Sequence, residues 1–422
     1  MQAVAQELVR RGHQVVWLTS EENEARVVFT GASHFKTTSI AFIDSPLSRA
    51  QETGLLDPHF RRLTYRRLMF RLIGQLNDYR RVLRGFDADV VLVDVLPFGA
   101  RALHELGEIP VYATLGVIPM YTSGWGAPHA RSGDAPPASS FALVWIYLHH
   151  LFIQWIVLPL LLRSLLNRQR KNRGFKRLPY GEPLESFKYS PFLHIQASSA
   201  SLEFNQLPKP MEYRDHTHFV GPLVTKVPST LNGLPSWWED IVKHPRVVGI
   251  TQGTLAMNPN SLIIPAIEAL SGDAKLLLVI TSPYPDAIRA QVGDLPNVRY
   301  ATFLPYHLFL PQLCLLITNG GYGSVTQALS HKVPMICAGQ TEDKKDTAAR
   351  VEWAGAGIDL KTDHPSTDQV RNAAMKILGD GGYKERAARL GDELNELGGA
   401  AKACDLLEML AQSHLRLERK NE

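Results

Sequence analysis

Cysteine is scarce in this 422-residue chain, and the three cysteines present do not show the spacing of a metal site. Cys314 and Cys337 fall inside predicted strands, where a free cysteine is usually a small buried apolar residue. Met1–Arg10 lacks the apolar run of a secretory signal. The sequence therefore argues against a disulfide framework and indicates a reducing compartment, which we expect to be the cytoplasm.

Neither positive nor negative charge is in large excess, since the formal net charge is only +4. Charged residues make up 20% of the chain and hydrophobic residues 45%. Part of the positive charge lies in one local cluster, so the composition predicts a globular protein without a nucleic-acid partner. Clusters of residues with metal-ligand spacing are missing as well. Asp87 and Asp89 form a D-x-D pair, but they precede a predicted strand and are typical of a solvated turn. We expect no metal requirement.

Short apolar runs alternate with helix-length segments along the chain, which predicts βαβ units and parallel sheets. We expect an α/β protein with two Rossmann-like domains that face a cleft. The domains are predicted at 1–222 and 245–422, joined by a linker at 223–244, with a long final helix at Ala400–Leu417. The predicted strands are Gln14–Leu18, Val27–Thr30, Val90–Val93, Val111–Thr114, Phe192–Ala197, His218–Val220, Val247–Thr251, Leu276–Thr281, Val298–Ala301, Leu313–Thr318 and Val333–Cys337.

The first residues follow an amphipathic helical pattern, in which Val4 and Leu8 lie on one face. An α/β domain normally begins with a strand, so a helix at this point is unusual. We therefore expect the first strand of the first domain, and the loop that follows it, to be missing.

Cys314–Gly339 has the clearest ligand-binding pattern. It contains an apolar run, a turn with Gly320, Gly321 and Gly323, a helical segment and a second apolar run. Such a unit presents backbone N–H groups and the positive end of a helix dipole to an anion, and glycine allows a phosphate to approach closely. By itself the pattern fits an ordinary tight turn equally well.

Phe141–Leu162 is the most apolar segment, and it leads into a cluster of arginines and lysines that ends at Arg177. Its length nearly suffices for a membrane span. His149, Pro159 and the α/β pattern on both sides instead favour a helix that lies on a membrane surface or lines a hydrophobic pocket. Peripheral membrane contact through 141–177 is therefore one interpretation of this region.

Several motifs gain meaning from their order and spacing. In the second half they are Ile250–Thr254 (ITQGT), Phe303–Pro311 (FLPYHLFLP), Thr318–Leu329 (TNGGYGSVTQAL) and Glu342–Val351 (EDKKDTAARV), and in the first half Arg11–Thr19 (RGHQVVWLT) and Val91–Ala100 (VLVDVLPFGA). Together they resemble the family 1 UDP-glycosyltransferases, which have the GT-B fold. The TNGGYG and TEDK variants look like a fungal and bacterial branch that glycosylates lipids, sterols and secondary metabolites.

The resemblance implies a UDP-sugar site in the second domain. Phe303 would stack on the uracil ring, with backbone groups of Leu304 reading the base edge. Gln327 stands where the family has glutamate, and its amide can still pair with the ribose hydroxyls. The residues implied for the pyrophosphate are Thr254, Gly321, Gly323 and Ser324.

Two further positions of this site, Asn319 and Lys344, depart from the family pattern. Asn319 replaces a histidine on the pyrophosphate, so binding should rely more on the backbone and the helix dipole. Asp343 and Lys344 stand where the family has an Asp–Gln pair that reads hydroxyls of the transferred sugar. An aspartate acceptor discriminates between sugars because a mismatched hydroxyl is left unpaired.

The implied reaction is inverting, metal-independent transfer of a hexose, expected to be glucose, to a hydroxyl of a hydrophobic small molecule. The UDP-sugar is a co-substrate, and no cofactor is implied. The family's base is a histidine after the first strand, oriented by an aspartate whose position matches Asp94. The histidine position does not occur in this chain, so a catalytically impaired nucleotide-sugar-binding protein is the alternative. The aromatic residues assigned to the acceptor are Tyr121, Trp125, Trp145 and Trp155.

Two other function classes are weighed against this one. A dinucleotide-dependent oxidoreductase needs G-x-G-x-x-G after the first strand of a domain, and that motif is absent there. A membrane-surface adaptor without catalysis is favoured by the missing histidine and by Phe141–Arg177. The sequence sets no oligomeric state.

Overall fold

The computed structural model describes residues 1–39, 72–94, 96–123, 125–204, 215–225, 234–253 and 258–421. The chain forms two parallel-sheet regions, as the alternating pattern predicts. The first region contains α1 (Gln2–Arg10), β1 (Val16–Thr19), α2 (Glu24–Phe29), β2 (Ser33–Lys36), α3 (72–83), β3 (Val91–Val93), α4 (Phe98–Glu105), β4 (Tyr112–Gly116), α5 (Ser140–Lys171), β5 (His194–Gln196) and β6 (Thr217–Phe219).

The second region begins after α6 (Trp238–Lys243). Its elements are β7 (Val247–Thr251), α7 (Ile263–Leu270), β8 (Leu277–Thr281), α8 (Pro285–Val292), β9 (Val298–Ala301), α9 (Tyr306–Phe309), β10 (Leu313–Thr318), α10 (Tyr322–Ser330), β11 (Met335–Cys337), α11 (Lys344–Trp353), β12 (Gly357–Asp359), α12 (Thr367–Gly379), α13 (Gly381–Glu396) and α14 (Gly399–Asn421).

The second region has one six-stranded sheet in the order β12-β11-β10-β7-β8-β9, and every adjacent pair is parallel. β7 and β10 are buried along their length except at Cys314, which is half-buried. Strands covered on both faces by helices read as continuous apolar runs, which is why the sequence locates them well. The order reverses between β7 and β10, where a doubly wound sheet opens a crevice at the carboxyl ends of its strands.

The first region is divided into two sheets. β1 pairs with β2, and β3, β4, β5 and β6 form a separate four-stranded sheet, again parallel throughout. The edges of β1 and β3 face a cavity of about 870 Å³, lined by Val16–Ser20 on one side and Val90–Asp94 on the other. In the second region β7 fills the corresponding place between β8 and β10.

Two expectations about individual elements are wrong. The predicted strand at Val27–Thr30 belongs to α2, and the strand that pairs with β1 comes later, at Ser33–Lys36. The final helix lies on the first region rather than on the second. Cys404 and Leu407 pack in the same cluster as Val4 of α1, and Arg11 Nη1 donates to Asp405 at 2.8 Å. α14 therefore ties the end of the chain to its beginning.

Candidate functional site

The loops that follow three neighbouring strands meet where the order of the second sheet reverses. Asn319, after β10, donates from Nδ2 to the carbonyl of Gln252, which follows β7. The backbone of Gly339, after β11, lies close to both Asn319 and Lys344. A Cβ added at Gly339 would be 2.2 Å from the carbonyl oxygen of Asn319 and 3.0 Å from Cδ of Lys344. The structure thus brings the glycine turn, Asn319 and Lys344 together at the carboxyl ends of the strands.

The glycine turn leads directly into α10. Gly320 has φ +79°, a conformation that residues with a Cβ rarely adopt. Gly321 caps the helix, and Tyr322 is its first residue, two positions earlier than Ser324, where the sequence places the start. The first N–H groups of a helix have no partner within it, so this end of α10 is suited to an anion. Gly323 is exposed, and a Cβ there would meet nothing within 4 Å.

The other predicted donor residues are distributed around this turn. Gln327 lies one turn along α10 and donates from Nε2 to the carbonyl of Gly323 at 3.0 Å. Phe303, after β9, is 76% exposed and available for stacking, whereas Leu304 is buried. Thr254 lies outside the described residues.

Asp343 and Lys344 begin α11 beside the same turn. The Lys344 ammonium is buried and already paired, with Glu342 Oε2 at 2.8 Å and Thr341 Oγ1 at 3.0 Å. Asp343 is half-buried, and that burial raises the pKa of its carboxyl above the ordinary value. A hydrogen bond donated by a hydroxyl group would therefore stabilise the charged carboxylate, and the sugar of a nucleotide-sugar carries such hydroxyl groups.

A buried polar network joins the two regions beside the turn, and sequence reasoning missed it. Glu203, from the first region, accepts from Arg350 Nε at 2.9 Å, from Met120 N at 2.8 Å and from the Tyr322 hydroxyl. Gln196 Nε2 donates to the same hydroxyl at 2.5 Å. Because Tyr322 is the first residue of α10, this network fixes the anion-binding end of the helix relative to the first region.

Asp346 of α11 makes a second connection between the regions. Its carboxylate accepts from the backbone N–H of Arg131 at 2.7 Å and of Gly133 at 2.8 Å. Tyr121 bonds to Asp346, and burial followed by the Asp346 charge raises the pKa of the Tyr121 hydroxyl well above its ordinary range. Arg350 and Tyr322 both lie within the quoted motifs, whereas Glu203 carries no sequence signal.

The four aromatic residues assigned to an acceptor are not gathered in one place. Tyr121 is buried between the regions, in a small cavity that Glu203 and Asp346 also line. Trp125 contacts Tyr147 of α5, with ring centroids 5.1 Å apart. Trp145 and Trp155 lie on α5 and are 67% and 46% exposed. Only Tyr121 among them lines that cavity, and all four remain predictions as acceptor contacts.

Asp94 lies at the carboxyl end of β3, on the cavity between the two sheets of the first region. The Met1 amino group is close enough for the Asp94 charge to act on it. Burial lowers the pKa of that amino group, and Asp94 opposes the effect. Histidine does not occur among the described residues that line this cavity.

Three histidines meet where α5 contacts the loop before it. His129 Nε2 lies 2.7 Å from His149 Nδ1, and His150 Nε2 lies 2.8 Å from the carbonyl of Ala127. Burial, followed by the charges of His150 and His149, lowers the pKa of His129 to about 4. Burial also lowers the pKa of His150.

We expect this cluster to make the protein less stable in acid. Since the folded pKa of His129 lies below the ordinary 6.5, the unfolded chain binds protons more readily between about pH 6.5 and about pH 4, and folding stability falls as the pH falls through that window. Thermal unfolding followed across this range measures the effect. The drop should be smaller in His129→Gln, and an unchanged drop in that variant would contradict the assignment.

Comparisons with known proteins show which family this chain resembles. Residues 272–400 match the family model described as the erythromycin biosynthesis protein CIII-like C-terminal domain. A 4'-demethylrebeccamycin synthase from Lentzea aerocolonigenes is 33% identical over 418 residues, which is 97% of this chain and 96% of that protein. UDP-glycosyltransferase 2 from Phaeomoniella chlamydospora is 35% identical over 249 residues, 58% of this chain and 52% of that protein.

Solved structures show the same fold. The calicheamicin glycosyltransferase superposes with a TM-score of 0.70 at 20% identity, covering 97% of this chain and 94% of the other. The spinosyn rhamnosyltransferase complexed with thymidine diphosphate gives a TM-score of 0.65 at 22% identity, covering 97% and 95%. The similarity to the Lentzea protein over nearly the whole of both chains shows the family: this chain belongs to the family 1 UDP-glycosyltransferases and is a glycosyltransferase of the GT-B fold.

Proposed function

We propose that this chain transfers a hexose, most simply glucose, from a UDP-sugar to a hydroxyl of a hydrophobic lipid, sterol or secondary metabolite, with inversion and without a metal. The observation that carries the proposal is the convergence of three loops on the end of α10. Asn319, Gly339 and Lys344 surround a glycine turn whose helix N-terminus suits a diphosphate. Relatives named UDP-glycosyltransferase and UDP-glucosyltransferase support the choice of donor.

Each donor residue is proposed to contact one part of the nucleotide-sugar. Phe303 stacks on the base, Gln327 pairs with the ribose hydroxyls, and Asp343 accepts from a sugar hydroxyl. For Gln327 this requires its amide to leave the carbonyl of Gly323, an exposed hydrogen bond that contributes little to stability. The clamp on the leaving diphosphate is the backbone of the turn and the dipole of α10.

Activation of the acceptor is proposed to depend on the cavity between β1 and β3. An additional parallel strand in that cavity would join the two sheets of the first region into one, with α1 as its crossover to β1. Its carboxyl end would lie at the same edge as Asp94, where a histidine in the following loop would be oriented as a base. The alternative proposal is a nucleotide-sugar-binding protein with impaired catalysis.

A thermal-shift screen tests the donor assignment. We expect UDP-glucose or UDP-N-acetylglucosamine to raise the unfolding temperature and NAD to leave it unchanged, because a ligand that binds only the folded state stabilises it. A chelator should not reduce the shift. A shift with NAD but with neither UDP-sugar would overturn the donor assignment, and a shift abolished by the chelator would overturn metal independence.

A further inference from the structure

The outward face of α5 carries a continuous apolar stripe. Phe141 is 81% exposed, Trp145 67% and Leu160 68%. Six further exposed apolar residues on this helix recur mostly at helical spacing: Val144, Leu148, Phe152, Trp155, Ile156 and Leu161. A contiguous apolar surface of this kind on a folded protein marks an interaction site.

The opposite face of α5 is held by the first region. Leu158 and Leu162 pack against the hydrophobic cluster beneath the helix. His150 Nε2 lies 2.8 Å from the carbonyl of Ala127, and Gln154 Nε2 donates to the carbonyl of Gly181 at 2.6 Å. The helix is long and apolar enough to cross a membrane, but a span would break all of these contacts. Contact with a bilayer is therefore restricted to the outward face.

Charge along this part of the chain has one sign. No aspartate or glutamate occurs between positions 135 and 181. Arg170 is buried and Arg163 half-buried, and their Nε atoms donate to the carbonyls of Lys176 and Pro179 respectively, each at 2.8 Å. The cations left on the surface at the end of the helix and just after it are Arg168, Lys171, Arg173, Lys176 and Arg177.

We propose that the apolar face of α5 and the basic segment 168–177 form a docking surface for an anionic phospholipid bilayer, with the helix lying in the plane of the membrane. Apolar side chains on the outward face would enter the boundary between head groups and acyl chains. The basic segment would lie among anionic head groups, each cation adding to the attraction. Trp145, Trp155 and Tyr180 have the apolar body and polar edge that suit the membrane–water interface.

This occupant fits the observations better than two others. If a second copy of the chain covered this face, the basic segment 168–177 would meet either the same basic segment of that copy or a surface without matching acidic residues. The segment itself contains no acidic residue that could pair with its equivalent in the other copy. A small hydrophobic molecule would cover only part of the stripe, since Phe141 and Leu161 lie 20 positions apart, about 30 Å along a helix.

Vesicle flotation of the 422-residue protein tests the proposal. We expect it to float with vesicles of phosphatidylcholine and phosphatidylserine, and to float less with phosphatidylcholine alone or when salt is raised from about 0.1 M to about 1 M. The triple variant Phe141→Gln, Trp145→Gln, Leu160→Gln should lower the partition coefficient at least about a hundredfold. Met409→Gln, which changes an equally exposed apolar residue on α14, is the matched control and should partition like the wild type.

A second set of variants tests the charge. Arg173→Gln, Lys176→Gln and Arg177→Gln should together reduce partition on the anionic vesicles by about fivefold for each charge removed. Lys243→Gln, at an exposed lysine on α6, is the control and should have no effect. Unfolding temperatures equal to that of the wild type show that each variant is folded.

Three results would overturn the proposal. The first is a wild-type protein that does not float with anionic vesicles. The second is flotation that the apolar and basic variants leave unchanged. The third is a dimer in solution, detected by its mass, that the triple apolar variant converts to a monomer, because the face would then belong to a second copy.

Discussion

Replacing Arg350 with methionine is expected to lower the free energy of unfolding by about 3–5 kcal/mol. The change leaves Glu203 buried and charged without its cation, since Arg350 Nε bonds to it at 2.9 Å and both side chains are almost fully buried. It also removes the bond from Arg350 Nη2 to the carbonyl of Met120 at 2.7 Å. Urea unfolding of variant and wild type measures the loss.

Two further variants separate the ion pair from general disruption. Adding Glu203→Gln to Arg350→Met should recover part of the loss, because no uncompensated charge is then buried. Arg371→Met removes an arginine from an exposed pair with Asp368 and should cost less than about 1 kcal/mol. An Arg350→Met variant as stable as Arg371→Met would show that the network does not hold the two regions together.

Extending the chain before Met1 with an apolar strand and a loop that carries one histidine is expected to raise glycosyl transfer by about 10²–10⁴-fold. The strand is designed to fill the cavity between β1 and β3, so that its loop ends beside Asp94. A histidine oriented by an aspartate takes the proton of the acceptor hydroxyl. Turnover of UDP-glucose with a panel of hydrophobic alcohols measures the gain.

Matched variants identify the source of any gain. The same extension with glutamine in place of histidine should restore the sheet but not the turnover. Asp94→Asn in the extended protein should remove most of the gain, because Asp94 would no longer stabilise the charged imidazole. A 422-residue chain that is already as active as the extended protein would refute the proposed role of the added strand.

Nearly all strands of the second sheet could be predicted from the sequence. The predicted bounds of Val247–Thr251, Val298–Ala301 and Leu313–Thr318 match the observed strands, because buried parallel strands are unbroken apolar runs between clear turns. The short strand β12, Gly357–Asp359, was missed, since three residues that include a glycine and an aspartate carry no such pattern. In the first region, Val27–Thr30 is apolar enough for a strand. The run is so short, however, that its pattern alone does not separate a strand from the apolar face of a helix.

Contacts between distant parts of the chain could not be predicted. Nothing in the sequence of α14 shows that Cys404 and Leu407 pack with Val4, since its amphipathic face suits either sheet equally. The strand, glycine turn and helix of β10 and α10 were predictable because their pattern is local, whereas a ligand at the turn stays a prediction. The network of Glu203, Tyr322 and Arg350 was not, because it joins positions from both regions through three-dimensional packing.

Calorimetric titration with UDP-glucose tests the nucleotide-sugar site most directly. Gly323→Leu adds a side chain at the exposed end of α10, where an added Cβ meets no atom within 4 Å, and Gly381→Leu makes the same change at the first turn of α13 as a control. We predict binding by the wild type and by Gly381→Leu, and affinity about ten- to hundredfold weaker in Gly323→Leu, since it blocks hydrogen bonds to a charged diphosphate. Equal affinity in all three proteins, or no binding by the wild type, would contradict a donor site at the glycine turn.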